Sequence, residues 1–109
     1  MLSSSVALGS PALTRRLQAT YEQLENWLLL IPTDASRLAL LVLRTSLPAL
    51  SHTSLDKAQA TLQTACLPVS NYFSLRPALF PRQLRALAAT QHFLSSLSSP
   101  SPDLTAPVL

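Results

Sequence analysis

The amino-acid sequence predicts an all-α protein, a small bundle of about four helices. The first observation is that one glycine occurs in 109 residues, whereas β-hairpins favour glycine at their turns. The second is that apolar residues recur every three or four positions, which places them on one face of a helix. The third is that nine prolines divide the chain into pieces of helical length, and short proline-marked links favour antiparallel neighbours.

The first predicted helix covers residues 11–31. Ser10 is a good N-cap, Pro11 suits the first helical position, and Pro32 ends the helix. One face carries apolar residues at spacings of three or four: Leu13, Leu17, Tyr21, Leu24, Leu28 and Ile31. We expect this face to lie against the core.

The second predicted helix covers residues 34–46, with Thr33 or Asp34 as its cap and Pro48 beyond its end. Residues 38–43 are apolar on every side, and a helix that is hydrophobic all round belongs at the centre of its fold. A buried strand is the alternative for such a short run. Leu and Ala dominate it, so we favour a central helix.

The third predicted helix covers residues 54–67. Ser54 caps it, and Asp56 in the first turn complements the helix dipole. Its apolar face consists of Leu55, Ala58, Leu62, Ala65 and Cys66. Pro68 ends or kinks the helix, and a turn or short helix is expected at residues 70–76.

The fourth predicted helix covers residues 81–97, and Pro81 occupies its first position. The remaining chain is rich in Ser and Pro and is predicted to be a flexible tail. The expected organisation is therefore a flexible arm at 1–10, a single helical domain at 11–97 and a disordered tail at 98–109. The predicted core includes Leu17, Tyr21, Leu24, Leu28, Leu38, Leu41, Val42, Leu62, Leu84 and Leu87.

No set of residues in the sequence is spaced for catalysis, for a metal or for a cofactor. His52 is predicted to be a solvated loop residue, and His92 a residue on the fourth helix at the boundary of its apolar face. Cys66 lies on the apolar side of its helix, which is typical of a buried structural cysteine. A single glycine does not allow the usual phosphate-binding loop. We therefore predict a protein that is not an enzyme and has no cofactor.

The composition favours a protein that binds a partner. Charged residues make up 12% of the chain, about half the usual share, and hydrophobic residues 48%. No run of about 18 uncharged apolar residues predicts a membrane span. A small protein with this much apolar surface often needs a partner to cover it. The leading hypothesis is a non-catalytic adaptor or small subunit that docks on a larger protein assembly through apolar helix surface, or self-associates.

The segment from Asn71 to Arg85 contains the candidate partner-binding residues, which are aromatic or basic. These residues are Tyr72, Phe73, Phe80, Arg76, Arg82 and Arg85. Aromatic anchors supply much of the binding energy at protein interfaces. The arginines, with no acidic residue between Lys57 and Asp103, indicate the alternative function, a basic helical nucleic-acid-binding protein.

One short stretch resembles a known family of nucleic-acid binders. Residues 71–79, which include Leu75–Arg76–Pro77, are similar to the Lys-Pro corner of the small helical suppressors from nodaviruses that bind double-stranded RNA. The resemblance implies double-stranded RNA as one ligand under the nucleic-acid alternative. Where that family needs a basic residue on its RNA-facing helix, this chain has Pro68.

The N-terminal 21 residues contain no acidic residue, and Arg15 and Arg16 are their only charged side chains. An Arg- and Ser-containing start without acids is typical of mitochondrial targeting segments. We expect an intracellular protein of the cytoplasm or nucleus, and the alternative is a mitochondrial accessory subunit.

Overall fold

The computed structural model describes residues 11–97, which form four α-helices and no strand. These are α1 (Pro11–Leu30), α2 (Asp34–Ser46), α3 (Leu55–Ser74) and α4 (Pro81–Ser96), with a 3-10 turn at Leu50–His52 between α2 and α3. The predicted all-α bundle is confirmed. The predictions of a capping Ser10, a flexible arm at 1–10 and a disordered tail at 98–109 fall outside the described residues.

Each helix packs against the next along the chain. The Glu25 carboxylate of α1 pairs with Arg44 near the end of α2. The side-chain amide of Gln59, near the start of α3, donates a hydrogen bond to the backbone carbonyl of Leu94 at the end of α4, with 2.7 Å between Nε2 and the oxygen. Since α1 also packs directly against α3, α2 and α4 lie on opposite sides of this central pair.

Local capping signals set the start of three helices as the sequence predicts. The Thr33 hydroxyl accepts a hydrogen bond from the Ser36 amide at the start of α2. The Ser54 hydroxyl accepts one from Lys57 at the start of α3. Pro81 stands in the first turn of α4, where its missing N–H leaves no helical bond unmade.

The core contains half of the residues predicted for it. Leu17, Leu24, Leu28, Leu62 and Leu87 are buried, whereas Tyr21 and Leu84 are half-buried and pack against the core. The core also contains apolar residues that the prediction omitted: Trp27, Ile31, Leu43, Leu47, Leu50, Val69, Phe73, Phe93 and Leu94.

The predicted central position of α2 is wrong. Leu38, Leu41 and Val42 are exposed to 62%, 59% and 42%. The buried side of α2 instead carries Ser36 and Leu43, because α2 lies at the edge of the bundle, where its extensive contacts are with α1 and α3. An all-round apolar helix at an edge leaves apolar side chains in water.

The predicted end of the third helix at residue 67 is also wrong, as is the separate turn or short helix at 70–76. α3 continues through Pro68 to Ser74. A proline inside a helix costs about 3 kcal/mol, because it removes one N–H and crowds the preceding turn. Continuing the helix buries Val69 and Phe73 completely, each worth roughly 1.5–3 kcal/mol. This burial offsets the proline.

Candidate docking surface

A groove runs along the outside of the bundle between α2 and α3 and has a volume of about 340 Å³. Small side chains from both helices lie in it, with larger apolar ones beside them. We call this feature the α2–α3 groove, and its lining residues are Ala35, Leu38, Ala39, Val42, Thr61, Thr64, Ala65, Leu67, Pro68 and Asn71.

The helical periodicity of α2 explains why leucine and valine line the groove. Ser36 and Leu43 point into the core, so Leu38 and Val42, on another side of the same helix, point outward. Burial of Ser36 is tolerated because the Thr33 hydroxyl donates to the Ser36 hydroxyl at 3.1 Å. The bundle therefore selects a serine for the inside of α2 and leaves larger apolar residues on its surface.

The groove carries no charged side chain among its lining residues. Arg44 of α2 instead bonds to Glu25 of α1, with 2.8 Å between Nε and Oε2. On α3, the stretch from Ala58 to Leu75 contains no acidic or basic residue. The groove is thus apolar and neutral along its length, interrupted only by hydroxyl and amide groups.

The aromatic part of the predicted site forms one cluster at the junction of α3 and α4. The Phe73 and Phe80 ring centroids are 4.7 Å apart, and Tyr72 lies 6.1 Å from Phe73 and 6.0 Å from Phe80. Phe73 is completely buried, so it belongs to the core and presents no surface to a partner. Tyr72 and Phe80 are half-buried and remain candidate contact residues.

The basic part of the predicted site is entirely exposed. Arg76 places its guanidinium 4.3 Å from the centroid of the Tyr72 ring, which holds this arginine beside the aromatic cluster. Arg82 and Arg85 are exposed on the first two turns of α4. The structure thus brings Arg76 together with the aromatic cluster and places the other two arginines on the adjoining helix.

A second cleft, of about 300 Å³, lies between α1 and α4 and is more polar. The Arg16 guanidinium lies 4.1 Å from the centroid of the Phe93 ring. The Thr90 hydroxyl donates to the Gln23 side-chain oxygen at 3.0 Å. These contacts join α1 to α4.

Of the titratable side chains in residues 11–97, those of Cys66 and Tyr21 have a raised pKa, chiefly because of burial. Burial raises the pKa of the Cys66 thiol to about 11, so this thiol stays protonated and unreactive near neutral pH. Its predicted burial is confirmed. His52 and His92 are exposed, as expected for a loop residue and a boundary residue. Within residues 11–97, no three His, Cys, Asp or Glu side chains are grouped to hold a metal ion.

None of the described helices has the length and apolar content needed to cross a membrane.

The sequence-based prediction did not include Leu38, Val42 and Leu67 in a binding surface. The signal that was present is compositional, since too many apolar residues for one small core must leave some exposed. The periodicity did not show which side of α2 is buried, because residues 38–43 are apolar on every side.

Comparison with known proteins found no protein family, no curated protein and no solved structure that matches this chain.

Proposed function

We propose that this protein is a non-catalytic interaction protein, an adaptor or small subunit, and that it docks on a protein partner through the α2–α3 groove. The observation that supports this most directly is the exposure of Leu38, Val42 and Leu67 around a neutral groove. Monomeric soluble proteins rarely leave contiguous apolar surface open, and such surface marks interaction sites.

The energetics favour an occupied groove. Complete burial of a leucine is worth roughly 1.5–3 kcal/mol, and Leu38 and Leu67 are both more than half exposed. A partner that covers these side chains gains about half of that value from each. The neutral lining adds no penalty for removing charges from water.

The first experiment compares two matched double variants, Leu38→Glu with Val42→Glu in the groove, and Leu75→Glu with Leu79→Glu in the turn between α3 and α4. All four side chains are exposed, so circular dichroism should show both variants folded. Affinity purification of each from cells that produce the protein should yield fewer co-purifying proteins for the groove variant alone, because buried carboxylates are costly.

If both variants retain the same co-purifying proteins as the wild type, the groove is not the docking surface. If only the variant in the turn loses them, docking occurs at the junction of α3 and α4, beside Tyr72 and Phe80. Either result contradicts the proposed assignment to the groove.

A second candidate function, nucleic-acid binding, is favoured by one observation. Arg76, Arg82 and Arg85 are all exposed, and residues 58–97 contain no acidic side chain. Exposed arginines on one part of the surface attract phosphate groups. Three arginines make a small contact set, so this function ranks behind docking.

A further inference from the structure

The turn between α3 and α4, residues 75–80, combines exposed leucines with neighbouring arginines, and we call it the α3–α4 turn. We infer that through this turn the protein binds the surface of bilayers that contain anionic lipids. The inference goes beyond docking on a protein and uses a different surface from the α2–α3 groove. It is supported by the exposed leucines of the turn, by the charges around it, by its backbone and by its shape.

The α3–α4 turn carries the two most exposed large apolar side chains of the described residues. Leu75 and Leu79 are 77% and 71% exposed. The end of α1 lies beside the turn, because Trp27 packs on the aromatic cluster at the end of α3. That end of α1 adds the exposed Leu29 and Leu30. Four leucines are therefore in water at one end of the bundle, and a bilayer interface would bury them.

Basic side chains lie directly behind the leucines of the turn. The Arg76 side chain folds back along α3, with its guanidinium 4.3 Å from the centroid of the Tyr72 ring. Arg82 and Arg85 are exposed on the first two turns of α4. When leucine enters the acyl chains, arginine and tyrosine lie at the level of the headgroups. Each basic residue at an anionic membrane surface strengthens binding about fivefold.

Acidic side chains do little to offset this positive charge. Residues 58–97 contain none. α2 begins at Asp34 after a short link from α1, and the Asp34 charge is balanced by Arg37, which is exposed on the same helix. This end of the bundle is therefore positively charged, which complements an anionic lipid headgroup.

The backbone of the α3–α4 turn is suited to contact with lipid, because most of its N–H groups are bonded or missing. The amide of Arg76 donates to the carbonyl of Phe73, and the amides of Leu79 and Phe80 both donate to the carbonyl of Arg76. Pro77 has no N–H. An unpaired polar group is costly to remove from water, so these bonds lower the cost of moving the turn out of water.

The shape of the α3–α4 turn favours a bilayer over a protein partner. Its leucines project, and neither the α2–α3 groove nor the cleft between α1 and α4 includes a residue of the turn. The turn has six residues, whereas a standard protein interface uses roughly 20–30 residues a side. Acyl chains rearrange around a small projecting tip, and a protein must offer a matching pocket.

Co-sedimentation of the full chain with lipid vesicles tests the inference. We expect it to bind phosphatidylcholine vesicles that contain about 30% phosphatidylserine at least tenfold more tightly than vesicles of phosphatidylcholine alone. Raising the salt concentration from about 0.05 M to about 0.5 M should weaken this binding at least tenfold, because salt screens the headgroup charge. No binding to the phosphatidylserine vesicles, or equal binding to both compositions, overturns the inference.

A charge-neutral pair of substitutions tests the leucines. Leu75→Ser with Leu79→Ser should weaken vesicle binding at least tenfold, because the exposed apolar area that enters the bilayer is lost. Leu38→Ser with Val42→Ser makes a matched change at exposed positions in the α2–α3 groove and should leave vesicle binding unchanged. Circular dichroism checks that both variants are folded. Equal binding by the two variants overturns the inference.

A second pair of substitutions tests the arginines. Arg82→Gln with Arg85→Gln should weaken vesicle binding about 25-fold, at fivefold for each lost charge. Arg15→Gln with Lys57→Gln removes the same charge at other exposed positions and should have a smaller effect. An arginine effect without a leucine effect overturns the inference, because it indicates a phosphate-binding face of the kind that the nucleic-acid alternative requires.

An environment-sensitive fluorophore shows which end of the bundle meets the bilayer. Cys66 is buried, so a single new exposed cysteine is labelled selectively. A nitrobenzoxadiazole label at Ala78→Cys, in the α3–α4 turn, should shift to shorter wavelength and brighten on phosphatidylserine vesicles. The same label at His52→Cys, exposed between α2 and α3, should not. A response at residue 52 that equals or exceeds the response at residue 78 overturns the inference.

This inference and the proposed function fail separately. If the protein binds no vesicles but the groove variant Leu38→Glu with Val42→Glu loses its co-purifying proteins, only the membrane inference is wrong. If the α3–α4 turn binds vesicles as expected and the groove variant keeps its co-purifying proteins, only the assignment of docking to the groove is wrong.

Discussion

The indole ring of Trp27 and the phenyl ring of Phe73 meet edge to face, with centroids 5.7 Å apart and planes at 90°. This geometry is favourable for aromatic pairs. It joins the end of α1 to the end of α3, which are remote in sequence. The contact exists because α3 continues past Pro68 and so places Phe73 in the core.

Phe73→Ala should lower the free energy of unfolding by about 3–5 kcal/mol, as expected for a large buried aromatic residue. The loss includes the contacts with Trp27 and Phe80. Urea unfolding followed by circular dichroism measures it, with Tyr72→Ala, a half-buried neighbour, as the control. An equal loss in the two variants would contradict the central position of Phe73.

Leu28→Ala and Leu38→Ala should differ sharply although they are the same chemical change. Leu28 is buried, so its truncation should cost about 2–5 kcal/mol. Leu38 is mostly exposed, and surface substitutions usually change stability by about 0.5 kcal/mol or less. Thermal unfolding at a concentration low enough to keep the protein monomeric compares them. Similar losses would mean that α2 is central after all.

Pro68→Ala should stabilise the fold by about 1 kcal/mol or more. The substitution restores an N–H for the Thr64 carbonyl in the middle of α3, although it also relaxes the unfolded chain, which reduces the gain. Ala60→Pro, at an exposed position of the same helix, is the control and should cost about 3 kcal/mol. If Pro68→Ala is instead destabilising, the proline ring contributes more through packing than its backbone costs.

Stability should fall with pH above about 9 because of Cys66. Its pKa rises from 9.0 to about 11 in the folded protein through burial. Below pH 9 both states keep the proton, so Cys66 adds no pH dependence. Between 9 and 11 the unfolded thiol ionises while the folded one does not, and the free energy of unfolding decreases by up to about 1.4 kcal/mol per pH unit.

The control for this pH dependence is Cys66→Ala, which removes the thiol but keeps Tyr21. The pKa of Tyr21 is also raised, chiefly by burial and then by the Glu25 carboxylate, so it contributes a similar decline at higher pH in both proteins. Denaturant unfolding from pH 7 to 11 should give a steeper decline for the wild type than for the variant. Parallel curves would contradict the shifted thiol.

The nucleic-acid alternative predicts that Arg82→Glu with Arg85→Glu abolishes most binding to double-stranded RNA and flattens its salt dependence. Each lost phosphate contact lowers the slope of log affinity against log salt by roughly 0.9. Arg15→Glu with Arg37→Glu changes the net charge equally at other exposed positions and should have the smaller effect. Equal effects of the two pairs, or no binding by the wild type at low salt, would exclude this function.

The elements that the sequence predicts correctly are those with local signals. Pro32 and Thr33 define the start of α2, and Ser54 and Pro81 do the same for α3 and α4. The six-residue face of the first predicted helix also follows from its spacing alone, since each of these residues is buried or half-buried, including Ile31, which lies one residue beyond the end of α1. Caps and periodicity act within one or two turns, so they need no knowledge of the remaining fold.

The errors arise where packing partners override local preference. Pro68 lowers the helical propensity of its own turn, but the benefit of continuing α3 comes from Val69 and Phe73 on the core side. On α2, residues 38–43 give no preferred face, so only the position of α2 at the edge decides that Leu43 is buried and Leu38 exposed. The α2–α3 groove could not be located without that information.

The order of packing in the bundle bears on how fast the chain folds. Most helix contacts join consecutive helices, and the pairing of α1 with α3 is the one extensive contact that skips a helix. Such local topologies fold in microseconds to milliseconds. Trp27, the single tryptophan of the chain, lies at this skipping contact. Its fluorescence therefore reports the pairing of α1 with α3, while circular dichroism reports helix formation, and a lag between the two signals would reveal the order of events.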